Sequence, residues 1–458
     1  MIRPFPPARA AWMLILLACP RPAPADATPA APDTSAAHAG MHHDHSMMMH
    51  DHSMMDMPDH ASMHHEHGGM SMTGAYGPYP MSREASGTAW QPDAAPHRGL
   101  HAMRGPWMLM LHGMADLVAD RQGGPRGADA IFSASMLMGM ARRPLGPGTL
   151  GFRAMMSAEP WTIPTDGYPL LLQTGETADG RTPLVDRQHP HDLFMELSGS
   201  YSVQAGDRSL FVYGGLPGEP ALGPPAFMHR FAGAMIPAAP IAHHWLDSSH
   251  ITFGVLTAGA VAGGFKLEAS SFHGREPDQD RLDLESGALD SHAFRLSVNP
   301  TPAVALQVSH GRLHSPEQLE PELDTDRTTA SAMVDGDRGD AHWEAMLAWG
   351  RNRNRPGRTL DAVLVEAGLE LHDRHHVFLR AEHVQKDELF FEPDPRAGQA
   401  FDVGALTAGY RIDLWRSGPV RGGLGALGTL SQVPAGASPA YGSGTPRSAM
   451  VFAHLELR

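Results

Sequence analysis

Cys19 is the only cysteine in the chain, so neither a disulfide framework nor a Cys-ligated zinc site is available. Lysine is nearly missing too, with Lys266 and Lys386 alone, and a formal charge of -15 leaves no basic surface to displace phosphate counterions. A nucleic-acid partner is excluded on that ground. The apolar run Ala10–Ala18 is too short to cross a bilayer as a helix. No H-E-x-x-H, nucleophile-elbow or Gly-rich phosphate-loop motif appears, and no enzyme is expected. Aromatic residues are few, at 7%, which is sparse for Trp and Tyr girdles at two membrane interfaces.

What is present begins with a leader. Arg3 and Arg9 precede the apolar run, and small residues and prolines follow it, the order of a secretory signal peptide over residues 1–25. Cleavage is expected at Ala23-Pro-Ala25 or Ala25-Asp-Ala27; Leu-Leu-Ala-Cys19 offers lipoprotein processing as the alternative. With Cys19 removed, any metal must be held by His, Met or carboxylate.

Residues 26–81 contain hardly a β-branched or large aliphatic side chain, too little apolar surface to offset chain entropy, and are expected to be disordered. The word HDHSMM occurs twice, from His43 and from His50, and residues 41–72 hold nine histidines and ten methionines. The donors are Met41, His42, His43, His45, Met47, Met48, Met49, His50, His52, Met54, Met55, Met57, His60, Met63, His64, His65, His67, Met70 and Met72. Thioether sulfur is a soft neutral ligand that selects Cu(I), and Ag(I) by the same softness, whereas imidazole also accepts Cu(II), Zn(II) and Ni(II). Interleaving them makes a copper-binding arm, with silver as a second cargo. Below about pH 6 the imidazoles protonate and the thioethers do not, so Cu(I) binding should outlast Cu(II) binding.

After a polar linker, 82–104, the texture changes. From 105 to 458 the chain alternates with period two: Val363, Val365, Ala367, Leu369 and Leu371 share one face of a strand, Glu366 and Glu370 the other. About sixteen such segments follow, with short links such as RPLGPG and DGDRG alternating with long ones near 159–192, 216–248, 274–290, 311–325, 387–401 and 433–446. Sorting of links by length along an even number of strands predicts an all-β, antiparallel, up-and-down transmembrane β-barrel in the outer membrane, with both chain ends and the arm in the periplasm. Glu268, Arg295, Glu344, Glu366, Arg380, Glu382, Arg411 and Asp413 fall at inward positions and are expected to line a wet lumen.

A second histidine group lies in the long links and nearby strand ends: His189, His191, Asp192, His229, His243, His244 and His250 form a second candidate metal site. His189, His191 and His250 lead, because HPHD is compact and His250 has inward parity in a strand expected over 249–258. Ser248 and Ser249 beside His250 are not expected to act as nucleophiles, since neighbours in a strand point to opposite faces.

The tract at 38–81 resembles the Met/His-rich amino-terminal region of the copper-resistance outer-membrane protein B family. DRQHPHDLFMEL, PIAHHWLDSSHITFG, FHGREPD and HGRLHSPEQLEP resemble an uncharacterised outer-membrane barrel family found beside copper and silver efflux systems. Those resemblances imply metal tolerance, by sequestration or by export with a periplasmic efflux complex as partner. The alternatives are a general porin with an incidental tail and a soluble periplasmic metal-sequestering β-protein.

Overall fold

The computed structural model describes residues 72–458; the leader and the arm donors Met41–Met70 lie outside the described residues. Its strands are β1 (Leu100–Arg104), β2 (Trp107–Gln122), β3 (Asp129–Leu145), β4 (Gly148–Met156), β5 (Tyr168–Thr177), β6 (Pro183–Gln188), β7 (Phe194–Ala205), β8 (Arg208–Gly215), β9 (Val255–Ala262), β10 (Phe265–Phe272), β11 (Ser291–Thr301), β12 (Val304–Leu313), β13 (Asp324–Arg338), β14 (Ala341–Arg355), β15 (Thr359–Leu371), β16 (His375–Lys386), β17 (Phe401–Ser417), β18 (Val420–Gln432) and β19 (Arg447–Leu457).

Sixteen of these, β2 to β4 and β7 to β19, form one antiparallel ring in which each strand pairs with the next. β19 closes it on β2, from Ser448↔Gln122 to Leu457↔Gly113. β1 pairs with the part of β2 beyond the end of β19, from Leu100↔Leu111 to Arg104↔Trp107. Both β2 and β19 have their outer chain ends on the side of the short turns.

The outward face explains why this alternation holds. Ile131, Leu210 and Leu267 are 75%, 68% and 60% exposed, and they belong to a belt of bare apolar side chains around the ring. In water such a belt is an aggregation surface; against hydrocarbon it is the ordinary exterior of a barrel. Trp343 and Leu347 lie on that face, as the pattern of HWEAMLAWG requires.

The lumen is filled rather than wet. Three pieces of chain occupy it: residues 73–98, the β5–β6 hairpin, and the long link 216–254, almost every residue of which is buried. Residues 82–104, read from sequence as a linker, are instead part of the first of these and its connection through β1. In that piece Arg83 pairs with Asp93 at 2.6 Å and lies over the rings of Tyr79 and Trp90 at 4.9 and 4.7 Å. Its backbone is taken up by the wall: Ser209 Oγ donates to the Tyr76 carbonyl at 2.5 Å, and Asn299 Nδ2 to the Gln91 carbonyl at 2.8 Å.

The inward charges do not face water. Arg295 is 1% and Glu366 0% exposed. Glu344 accepts the Phe231 and Ala232 amides at 3.2 and 3.3 Å, Glu382 accepts the Ala242 amide at 3.0 Å, and Arg380 donates to the Ala238 carbonyl at 2.8 Å. A Gly/Pro/Ala-rich segment cannot satisfy its own backbone with a helix or sheet, so polar side chains on the wall do it instead. The two lysines share that task, Lys266 donating to the Thr88 carbonyl and Lys386 to Thr174 Oγ1 at 3.1 Å.

Candidate functional site

The strand expected over 249–258 begins only at Val255, because Ser248–His250 is a short 3-10 turn and Gly254 takes a φ of +99°. His250 therefore reaches the lumen from the plug and not from the wall. Its neighbours are not a nucleophile and base: Ser248 Oγ donates to Glu276 at 2.8 Å, while His250 Nδ1 lies 2.8 Å from the Asp247 carbonyl oxygen.

Five of the seven residues singled out around it come together. The rings of His191 and His250 are 5.4 Å apart, His250 and His243 5.2 Å, His243 and His244 5.5 Å, and His244 and His189 6.4 Å. This string of imidazoles wraps around Phe227, which stacks on His191 at 6.1 Å. The histidines do not project from outer loops; all five are buried. Asp192 is not part of the string, being paired with Arg281 at 3.3 Å; burial pushes its carboxyl up to about 6 against that guanidinium. His229 lies elsewhere, with Nε2 at 3.3 Å from Met155 Sδ.

Electrostatics divide the string. Burial holds His243 down at about 4, even though its Nδ1 is 2.8 Å from Asp247, and burial beside His243 and His191 keeps His250 well below its ordinary value. Both are neutral at pH 7, and His250 Nε2 has no hydrogen-bond partner among the described residues. Burial would lower His244 as well, but Glu276 at 3.3 Å and Glu317 at 3.8 Å outweigh it and raise the ring to about 9. Ligand atoms of His244, Glu276 and Glu317 lie within 4.8 Å of one another, a set suited to a divalent cation that displaces the His244 proton.

A second feature was missed at the sequence level. On β2 the inward positions are Met108, Met110, His112 and Met114; on β3 they include Met136, Met138 and Met140. Register sets Met110 opposite Met140, His112 opposite Met138, and Met114 opposite Met136. Met138 in turn faces Met155 on β4. All of these except Met108 and Met155 line a cavity of about 140 Å³ inside the barrel, which Met228 and His229 of the plug also border. The signal was in plain view as M-x-M-x-H-x-M and M-x-M-x-M, which at strand period put every sulfur on one face.

Wall, belt and filled lumen define an outer-membrane β-barrel with an internal plug. No family model matches the chain, and no curated protein does. Among solved structures it is similar to OprB of Pseudomonas putida, in a high-pH structure, at a TM-score of 0.50 and 7% identity over 77% of this chain and 94% of that one. OmpF of Salmonella typhi in complex with daunomycin gives 0.49 and 10% over 78% and 100%, and an anion-selective porin from Comamonas acidovorans 0.44 and 12% over 77% and 99%. At such identities the likeness to OprB speaks for the barrel fold alone.

Proposed function

We propose that this barrel acts in tolerance to copper or silver, binding soft metal ions on the arm Met41–Met72 on the periplasmic side and holding them or passing them to an efflux complex. The observation that carries this reading is the arm itself, ten thioethers and nine imidazoles in thirty-two residues of a barrel chain. The filled lumen weighs against a general porin, because the inward residues a solute would meet are buried against plug backbone. The apolar belt weighs against a soluble periplasmic protein. The resemblances to the copper-resistance outer-membrane protein B family and to barrels beside copper and silver efflux systems point the same way. His189, His191, His243, His244 and His250 remain the candidate second site, nearer the long-loop end.

The test is tolerance itself. Cells making the full chain are compared with cells making a chain whose residues 41–71 are replaced by Gly/Ser of equal length. A severalfold loss of silver and copper tolerance at equal barrel abundance is expected. Unchanged tolerance would make the arm incidental and return the porin reading.

A further inference from the structure

Buried histidines in this barrel have oxygen partners. His191 lies 2.9 Å from Glu159, His376 3.2 Å from Asp413, and His454 2.8 Å from Asp116; His243, His244, His250 and His189 are likewise held by carboxylates or carbonyls. His112 and His229 depart from that rule. The ring of His112 makes no hydrogen bond among the described residues, its neighbour being the His229 ring edge-on at 6.1 Å. His229 has a sulfur at 3.3 Å where the others have oxygen.

Across three adjacent strands His112, Met138 and Met155 stand in one row, each opposite the next. Directly opposed residues have Cβ atoms about 5 Å apart, so neighbouring side chains in such a row can reach one ion. His229 closes the row from the plug. Methionine is often simple core filler, but filler that packs leaves no hollow. Here a hollow remains, with Met110, Met114, Met136 and Met140 around it.

We infer that His112, Met138, Met155 and His229 form a built-in site for one soft monovalent metal ion, Cu(I) or Ag(I), inside the barrel. Two imidazoles and two thioethers are all neutral donors, and soft sulfur favours these ions. Two carboxylates line the cavity: Glu84, in residues 73–98, accepts the Tyr76 amide and the Tyr79 hydroxyl through Oε1, both at 3.1 Å, while its Oε2 makes no hydrogen bond among the described residues, and Glu456 pairs with Arg98 at 3.3 Å and Arg458 at 2.9 Å. Arg153 also lines the cavity, so a divalent ion would face neutral ligands and a cation at once. The site adjoins the arm as well. Met72, its last methionine, packs with Met140 against the cluster of Met81, Met108 and Met110. This deepens the proposed function, resting on its premise that the chain handles soft metals, and it gives arm-bound ions a first station in the barrel.

The test uses the full-length protein in detergent, loaded with Ag(I), freed of excess metal and assayed for silver per chain. The chain with residues 41–71 replaced by Gly/Ser is expected to retain one silver ion. Met138→Leu with Met155→Leu, a volume-conserving pair of changes, is expected to abolish that ion while keeping heat-modifiable gel mobility. If the pair fails to fold, methyl-labelled methionine spectra of the arm-replaced parent decide: the ε-methyls of Met138 and Met155 shift with the first equivalent of silver, or the proposal is wrong. Many ions on the native chain and none on the arm-replaced one would overturn this site and leave the arm standing. A single ion on both would do the reverse.

Discussion

Excising residues 220–250 is expected to turn a nearly silent barrel into a conducting one. The excision is sterically simple, because the plug leaves and re-enters the wall through a paired stem: the Gly218 and Thr252 amides each donate to the other's carbonyl, at 3.0 and 2.9 Å. A short Gly/Ser turn joins those two residues without disturbing β8 or β9. What is lost is the Ile241–Trp245–Leu246 side of the lumen, which shares one core with Leu171 of β5 and with Ala348, Leu364 and Val384 of the wall. A sixteen-stranded ring is wide enough for an aqueous channel once the longest of its three fillings is gone, so single-channel conductance in planar bilayers should rise by about tenfold or more. Unchanged conductance would mean that residues 73–98 and the β5–β6 hairpin seal the barrel by themselves, or that the native lumen already conducts.

The second large effect is expected at Arg230. Fully buried, it donates to Glu366 on β15 at 2.6 Å, to Asp247 at 2.6 Å and to the Pro225 carbonyl at 2.7 Å. Asp247 is held well below the ordinary carboxylate range, its burial outweighed first by Arg230 and then by His243. Arg230→Ala leaves Glu366 with Arg380 as its one cationic partner, at 2.9 Å, and Asp247 with His243 alone, at 2.8 Å, a loss of about 3–4 kcal/mol. Hydrogen exchange of the plug amides should therefore accelerate by roughly two to three orders of magnitude, while strand amides far from the plug stay protected. Arg230→Lys should rescue little, since one ammonium cannot serve both carboxylates and the carbonyl from one geometry. Adding Asp247→Asn to Arg230→Ala should recover part of the loss, because the carboxylate left without a guanidinium goes with it. Equal protection in Arg230→Ala and the native chain would show that the plug is held by its apolar contacts alone.

The wall was legible in the sequence because lipid on one side and side-chain packing on the other impose the same period along every strand. Sixteen segments matched sixteen strands, and loop length sorted the two ends. The plug was not legible. Residues 216–254 hold Pro217, Pro220, Pro224, Pro225, Pro237 and Pro240, carry no period, and read as a long outer link. Their burial is decided by Glu344, Glu366 and Glu382, more than a hundred residues away, so no local pattern announces it. The same separation turned charges expected in a wet lumen into acceptors for backbone amides. Of the histidine group, His191, His250, His243, His244 and His189 lie close together, inside the barrel rather than on outer loops, while Asp192 and His229 do not join them. The methionine row was overlooked although its spacing was explicit, because methionines in a strand read as packing until register shows them opposed across a hollow.

The proposed function requires this chain to prefer soft monovalent metal to borderline divalent metal. Its most direct test is competitive loading of the purified full-length protein, under reducing conditions, with equal concentrations of Cu(I), Zn(II) and Ni(II), followed by metal analysis of the washed protein. Several copper ions per chain, with at most one zinc or nickel ion at His244, Glu276 and Glu317, is the expected result. Zinc or nickel retained at the level of copper or above it would contradict the account, since imidazole and carboxylate would then be the working ligands and the methionines bystanders.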